Sequence, residues 1–108
     1  MQVKFNSKYA GEINGTFTVN TYKNNGNTSV HLLEIDEGPF ATLSVNIDLK
    51  LPPDEFVAKT YSENEGLVEQ FIEMGYFEPT GGKIQVGYAG YMPVLRFTEK
   101  FKKEVGVS

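Results

Sequence analysis

His31 is the only histidine in the chain, and an imidazole can serve as a base, as part of a catalytic triad or as a metal ligand. It lies in the apolar run 30–35. A metal site would need clustered ligands, and nucleophilic catalysis would need a nucleophile elbow around a serine; the chain has neither pattern and contains no cysteine. We therefore expect His31 to be a half-buried, hydrogen-bonded strand residue, and the sequence predicts no catalytic residue, no metal site and no cofactor.

Two glycine-rich segments have some likeness to phosphate-binding loops. They are Gly81-Gly82-Lys83 and Gly87-Tyr88-Ala89-Gly90. Neither has the spacing of a P-loop, and neither is followed by a helical pattern whose first turn could hold an anion. We interpret both as turns.

Acidic residues are concentrated in the middle of the chain. Residues 34–78 contain eleven Asp and Glu against two lysines, a net charge of −9, whereas the flanking segments carry +2 and +3 and the whole chain −4. A field of this kind steers partners by the sign of their charge. The middle of the chain is therefore the first place to look for a binding surface.

Three of these carboxylates recur at every fourth residue. Glu65, Glu69 and Glu73 would form one column on a helix, where each neighbouring pair repels by about 0.2–0.5 kcal/mol, and Glu73 would lie near the negative end of the helix dipole. The column is either an ordinary solvated face or a surface for a basic protein, and such a surface could also imitate nucleic-acid phosphates. The predicted partner surface consists of Asp54, Glu55, Glu63, Glu65, Glu69 and Glu73.

Aromatic residues after the predicted helix suggest a different function. With the positive charges of the C-terminal third they could stack on nucleic-acid bases, or they could simply fill the core. The residues concerned are Tyr76, Phe77, Tyr88 and Tyr91, with Lys83 and Arg96 nearby.

Period-2 alternation of apolar and polar residues predicts the strands that must position these groups. The clearest run is 40–51, and it forms a predicted antiparallel meander with runs 13–21 and 30–35. Asn24-Asn25-Gly26-Asn27 and Glu37-Gly38-Pro39 are the predicted turns between them. Further strands are predicted at 3–9 (a short edge strand), 83–86 and 91–98, with a loop at 79–82, whereas residues 56–60 are either a strand or an extended lead-in to the helix.

One amphipathic helix is predicted between residues 62 and 75. Ser62 and Glu65 match a capping box at its start, and Gly75 supplies a left-handed residue at its end. Its apolar stripe comprises Leu67, Val68, Phe71, Ile72 and Met74. Residues 99–108 are charged, and we expect them to form a frayed tail.

Length and composition favour one globular domain. A chain of 108 residues with 40% hydrophobic and 22% charged residues can bury a core of its own. The first residues lack the apolar stretch of a signal peptide, no stretch approaches a membrane span, and cysteine is absent. These features favour a cytoplasmic protein.

Several motifs also resemble a known family. They are Phe40-Ala41-Thr42-Leu43-Ser44-Val45-Asn46, Phe56-Val57-Ala58-Lys59, Tyr61-Ser62-Glu63-Asn64-Glu65-Gly66, Gly75 and Thr80-Gly81-Gly82. They resemble small uncharacterised proteins carried by plasmids, phages and conjugative elements of Gram-positive bacteria, in which an ATL-x-VN strand precedes an F-V-K-x-Y-S-E-N-E-G helix start. The likeness covers roughly residues 12–98, and Ala58 interrupts the family's FVK. The resemblance implies no catalytic residue; it implies an accessory protein of mobile DNA in a bacterial cytoplasm.

Together these patterns predict a single α+β domain over residues 1–108, in which an antiparallel β-meander of about five or six strands packs against one amphipathic helix. We expect a non-enzymatic interaction protein, a monomer or weak homodimer, whose acidic helix face binds a basic protein of the host's defence or replication machinery. One alternative is a nucleic-acid-binding module that uses the basic and aromatic C-terminal third. Another is a small-ligand binder or an enzyme of a type that these motifs do not identify.

Overall fold

Eight strands form in the part of the chain that the structure describes. The structure is a computed structural model and describes residues 2–61, 64–87 and 90–106. The strands are β1 (Val3–Ser7), β2 (Gly11–Thr21), β3 (Thr28–Glu34), β4 (Gly38–Thr42), β5 (Ser44–Val45), β6 (Glu55–Ala58), β7 (Phe77–Val86) and β8 (Gly90–Phe97). They form two antiparallel four-stranded sheets, in the orders β1-β2-β3-β4 and β5-β6-β8-β7. Two short helices, α1 (Leu67–Glu73) and α2 (Glu99–Val105), complete the α+β fold.

Most predicted strands are confirmed within a few residues. β1 is an edge strand of the first sheet, β2, β3 and β8 coincide with predicted strands, and the segment that was either a strand or a lead-in forms the strand β6. The expectation of one sheet with five or six strands is wrong, because one long predicted strand is divided between the two sheets.

The prediction of a single strand over residues 40–51 fails at Leu43. β4 ends at Thr42 and pairs with β3, whereas β5 begins at Ser44 and pairs with β6. Leu43 is fully buried at the crossing, and the Ser44 hydroxyl accepts a hydrogen bond from the Val30 N–H of β3 at 3.0 Å. The crossing residues therefore tie the second sheet to the first.

After β5 the chain runs as a strap (residues 46–53) instead of continuing as a strand. Side-chain amides take the place of a neighbouring strand: Asn25 Nδ2 donates to the Ile47 carbonyl and Asn27 Nδ2 donates to the Leu49 carbonyl, both at 2.7 Å. These bonds satisfy strap carbonyls that no ladder reaches. The alternation of residues in a sequence does not show whether the backbone is hydrogen-bonded to a neighbouring strand or to side chains.

The alternating apolar residues of the strap still have a packing role. Ile47 and Leu51 pack against a small apolar cluster on the second sheet, and Leu49 between them is 54% exposed. The cluster is centred on Val57, Met92 and Val94.

Both predicted turns between the first strands exist, one of them slightly displaced. In the β2–β3 connection the Gly26 N–H donates to the Tyr22 carbonyl at 2.8 Å, with Gly26 at φ 76°. The β3–β4 turn lies at residues 35–37, earlier than predicted, since β4 already begins at Gly38. Its left-handed residue is Asp36, at φ 68°, a conformation that Asp tolerates.

The main core is built from phenylalanine. All eight phenylalanines of the chain make ring–ring contacts, mostly edge-to-face, a geometry that adds to the gain from burial. Phe17 of β2 is central: its ring centroid lies 5.0 Å from that of Phe71 in α1 and 5.2 Å from that of Phe101 in α2. Both helices thus contact the same side chain of the first sheet.

α1 begins later than the capping box predicts. Its N-cap is Gly66, at φ 85° and without a side-chain cap, and Ser62 lies outside the described residues. The predicted end is confirmed, because Gly75 has φ 84° and its N–H donates to the Ile72 carbonyl. Asn64 supports the lead-in instead, donating from Nδ2 to the Thr42 carbonyl.

The prediction of a frayed C-terminal tail is wrong, since residues 99–105 form α2. The Thr98 hydroxyl caps this helix by accepting the Phe101 N–H at 3.2 Å, and Gly106 ends it with φ 76°. Phe101 is fully buried in the main core. The sequence of α2 is mostly charged and has one fully buried residue, Phe101. It therefore lacks the apolar stripe from which an amphipathic helix is predicted.

The predicted loop at 79–82 is a bulge inside β7. Pro79 pairs with Leu95 and Lys83 pairs with Pro93, so three residues of β7 lie opposite one residue of β8. The Thr80 hydroxyl donates to the Val94 carbonyl at 2.9 Å across this gap.

Candidate partner-binding surface

α1 is anchored on two sides, and the anchors decide which of its side chains face outward. Leu67, Val68 and Phe71 are buried in the main core. On the β1 side, the Gln70 amide accepts the Asn6 N–H through Oε1 and donates to the Asn6 carbonyl through Nε2, both at 2.8 Å. With these faces occupied, the remaining face of the helix points to solvent.

Glu69 and Glu73 occupy that exposed face, one helical turn apart. Among the described residues neither carboxylate has a hydrogen bond or an ion pair. The last turn of α1 contains no basic residue, and Lys100 supplies the nearby positive charge by donating to the Met74 carbonyl at 2.8 Å. This pair is the part of the predicted column that remains free to bind.

Glu65 belongs to the same region but not to the helix. It precedes the N-cap, and its carboxylate accepts a hydrogen bond from Lys8 Nζ at 3.0 Å, with both side chains more than half exposed. The hydrogen bond and the negative charge of Glu65 raise the pKa of Lys8 above its usual value. The predicted column of three is therefore two free carboxylates on a helix and one neutralised carboxylate before it.

Asp54 and Glu55 lie on a different element from Glu69 and Glu73. Glu55 begins β6, and Asp54 precedes it and lines a groove with residues 19–21 at the far end of β2. The six residues predicted from the sequence therefore do not share one helix face, and one of them, Glu63, lies outside the described residues.

The carboxylates at the far end are also neutralised. Lys102 of α2 lies 3.5 Å from Asp54, and Arg96 of β8 lies 3.2 Å from Glu55, whose side chain is only 17% exposed. Arg96 also approaches Glu78, at 3.8 Å. Basic residues of the C-terminal segment therefore form ion pairs with part of the acidic middle segment. The separation of charge is smaller in the folded structure than along the sequence.

Two exposed tyrosines lie close to Glu65, and sequence reasoning missed both. Tyr9 follows Lys8, whose Nζ is 5.9 Å from its ring centroid, and is 68% exposed. Tyr61, with Lys59 Nζ 5.4 Å from its ring, accepts the Asn64 N–H at its carbonyl. Exposed tyrosine is a common anchor at protein interfaces. No sequence signal places Tyr9 here, because the β1–β2 turn and α1 are more than fifty residues apart in the chain.

The aromatic residues predicted as a stacking surface are divided in the described part of the chain. Tyr76 and Phe77 are buried in the main core, whereas Tyr91 is exposed on β8. Arg96 is engaged by two carboxylates. Tyr88 lies outside the described residues.

His31 is half-buried and hydrogen-bonded, as predicted, with Nδ1 3.2 Å from the Thr42 hydroxyl. It lines an open groove of about 470 Å³ on the outer face of the first sheet. The lining includes Thr18 and several apolar residues, but neither a carboxylate nor a tyrosine. The groove has the size of a small-ligand site without the convergent charged groups that acid–base chemistry needs.

Neither α1 nor α2, nor any other helical stretch within 2–61, 64–87 and 90–106, is long and apolar enough to cross a membrane. Comparison with protein-family models, with curated protein sequences and with solved structures finds no match to the chain.

Proposed function

We propose that the protein is a non-enzymatic interaction module that binds a basic protein through the exposed face of α1. The proposed binding surface contains fewer carboxylates than the surface predicted from the sequence. It consists of Glu69 and Glu73 with Glu65, Tyr9 and Tyr61 beside them. The observation that carries the proposal is that Glu69 and Glu73 have no cation among the described residues, while Asp54, Glu55, Glu65 and Glu78 all do.

The energetics of the pair favour an external cation. Two carboxylates at i and i+4 repel each other, and Glu73 lies in the last turn, where the helix dipole disfavours a negative charge. A partner that places Lys or Arg between them relieves both costs. Exposed charges of this kind mainly set the rate of encounter and the choice of partner, and salt weakens them.

The resemblance of the 40–46 and 56–66 segments to proteins of plasmids, phages and conjugative elements supports a context for this binding. We propose a cytoplasmic accessory protein of a mobile genetic element, whose basic partner belongs to host defence or replication. Acidic proteins suit such a role because nucleic-acid-binding machinery presents basic surfaces.

A charge-reversal experiment tests the proposal. The full chain is used to capture proteins from a bacterial lysate, and the variant Glu69→Lys/Glu73→Lys is used in parallel. We expect a captured basic protein to be lost with the variant, and its binding to the wild-type chain, measured after purification, to weaken as salt rises.

The matched control is Glu37→Lys/Asp48→Lys, which changes the net charge equally at exposed carboxylates outside α1. It should retain the partner. Equal loss in both variants would mean that only net charge matters, and equal retention would exclude α1 as the binding surface. Salt-sensitive retention of the wild-type chain on a nucleic-acid column would favour the nucleic-acid alternative.

A further inference from the structure

Asn25, one of the side chains that hold the strap, is also chemically vulnerable. Asn25 Nδ2 donates to the Ile47 carbonyl at 2.7 Å and to Asn46 Oδ1 at 3.0 Å, while Asn25 Oδ1 accepts the Asn27 N–H at 2.9 Å. The next residue is Gly26, which has no Cβ to hinder approach to the Asn25 side chain. Asparagine followed by glycine is the dipeptide in which cyclisation to a succinimide meets the least steric resistance.

We infer that Asn25 is a deamidation site whose reaction is suppressed while the strap is closed and whose product prevents the strap from closing again. The inference concerns the β2–β3 turn and the strap, and it is independent of the function proposed for α1.

The reaction needs only water as co-reactant. The Gly26 backbone nitrogen attacks Asn25 Cγ, forming an N–Cγ bond; the Cγ–Nδ2 bond breaks, and ammonia leaves with the proton of the Gly26 amide. Water then opens the succinimide. Cleavage of the new bond at Cγ leaves aspartate at position 25, and cleavage at the main-chain carbonyl leaves an isoaspartyl linkage.

The closed structure engages both reacting groups. The Gly26 N–H donates to the Tyr22 carbonyl at 2.8 Å, so the attacking nitrogen is held in the turn with its proton occupied. The Asn25 amide is fixed at both ends by its three hydrogen bonds, and Lys50 Nζ donates to the Asn25 carbonyl at 3.3 Å. Cyclisation therefore requires the turn and the strap to separate first.

The product removes one of the donors that hold the strap. A carboxylate at position 25 can only accept hydrogen bonds, so it would face the Ile47 carbonyl oxygen without a proton between them. The Asn27 N–H can still be bound, but the contact with the strap becomes repulsive. An opening that is reversible before the reaction becomes permanent after it.

The first experiment measures deamidation site by site in the full-length protein by peptide mass spectrometry. Asn14-Gly15 is an internal control, because it is the same dipeptide within β2 and makes no contact with the strap. We expect Asn25 in the native wild-type protein to react about tenfold or more slowly than in urea. Equal rates at Asn25 in the two conditions would overturn the inference.

The variant Asn27→Ala loosens the strap without changing the reacting dipeptide, since Asn27 binds the Leu49 carbonyl and the Leu51 N–H. It should accelerate deamidation at Asn25 alone. If Asn14 accelerates equally, the variant has unfolded globally, and Thr28→Val, which removes only the hydrogen bond to the Pro53 carbonyl, replaces it. An unchanged Asn25 rate in a folded variant would contradict gating by the strap.

The second experiment tests the consequence of the product with two isosteric variants. Asn25→Asp mimics it, and Asn24→Asp is the matched control, because Asn24 uses only its Oδ1, as acceptor for Asn46 Nδ2 at 3.1 Å, and aspartate retains that role. We expect hydrogen exchange at the Leu51 amide to rise about tenfold in Asn25→Asp and to stay unchanged in Asn24→Asp. Equal exchange in both variants would show that Asn25 does not hold the strap.

Discussion

The side chain of Gln70 occupies the position of a neighbouring strand at Asn6. It accepts from the Asn6 N–H and donates to the Asn6 carbonyl, both at 2.8 Å, and its Nε2 also donates to the Gly66 carbonyl at 3.0 Å. An edge strand with free peptide groups is a template for pairing with another chain. Gln70 thus fixes the rotation of α1 and blocks part of the β1 edge.

Replacing Gln70 should therefore destabilise the protein although the residue is only half-buried. We expect Gln70→Ala to lower the free energy of unfolding by about 1–3 kcal/mol, because the two Asn6 groups lose their partners. The measurement is urea unfolding followed by circular dichroism. Glu69→Ala, on the exposed face next to it, should stay within about 0.5 kcal/mol of wild type. Equal effects of the two substitutions would refute the role of Gln70.

Ser44→Ala should weaken the crossing between the two sheets. The Ser44 hydroxyl accepts the buried Val30 N–H at 3.0 Å and lies 2.8 Å from the Tyr22 hydroxyl. Its loss leaves that N–H without a partner, and we expect a cost of about 1–3 kcal/mol in urea unfolding. Tyr22→Phe keeps the bond to Val30 and should cost less. A larger loss of stability in Tyr22→Phe than in Ser44→Ala would show that Ser44 acts through Tyr22 and not through β3.

Phe101→Ala tests whether the C-terminal segment is part of the core. Phe101 is fully buried and contacts four other rings, so its truncation to alanine should lower the free energy of unfolding by about 3–5 kcal/mol. Lys103→Ala, on the exposed side of α2, is the control and should be nearly neutral. Thermal unfolding measures the stability of both variants. An unchanged stability in Phe101→Ala would support the prediction that the C-terminal segment is a frayed tail.

Tyr76 should lower the stability of the fold at alkaline pH. Burial, and then the charge of Glu104, raise the pKa of Tyr76 above its usual 10.0. Well below pH 10.0 the phenol is protonated in both states, and its contribution is fully present. As pH rises further the unfolded chain loses its proton first, so stability falls until the folded-state pKa is passed.

Urea unfolding as a function of pH measures this effect. We expect the alkaline loss of stability to be smaller in Tyr76→Phe, which keeps the ring in the core and removes the ionisable hydroxyl. Tyr91→Phe, at a largely exposed position, is the control. Identical pH profiles for wild type and Tyr76→Phe would contradict the effect of burial.

Local patterns were sufficient for much of the secondary structure. Alternation predicts β2, the compact apolar run 30–35 predicts β3, and Gly75 marks the end of α1, because these signals arise from residues close together in the chain. Glu69 and Glu73 are likewise predicted on one helix face, since helical periodicity is a local property. The asparagine cluster predicts a turn for the same reason.

Only the tertiary structure decided which partners those elements meet. Residues 40–51 alternate like one strand, yet the chain changes sheets at Leu43 and the amides of Asn25 and Asn27 hold the strap, because side chains distant in sequence satisfy its backbone. Asp54 and Glu65 belong to one acidic segment, but Lys102 and Lys8 neutralise them at separate places. The charge of a segment can be counted from the sequence, but whether it forms a binding surface depends on which residues distant in the chain pack beside it.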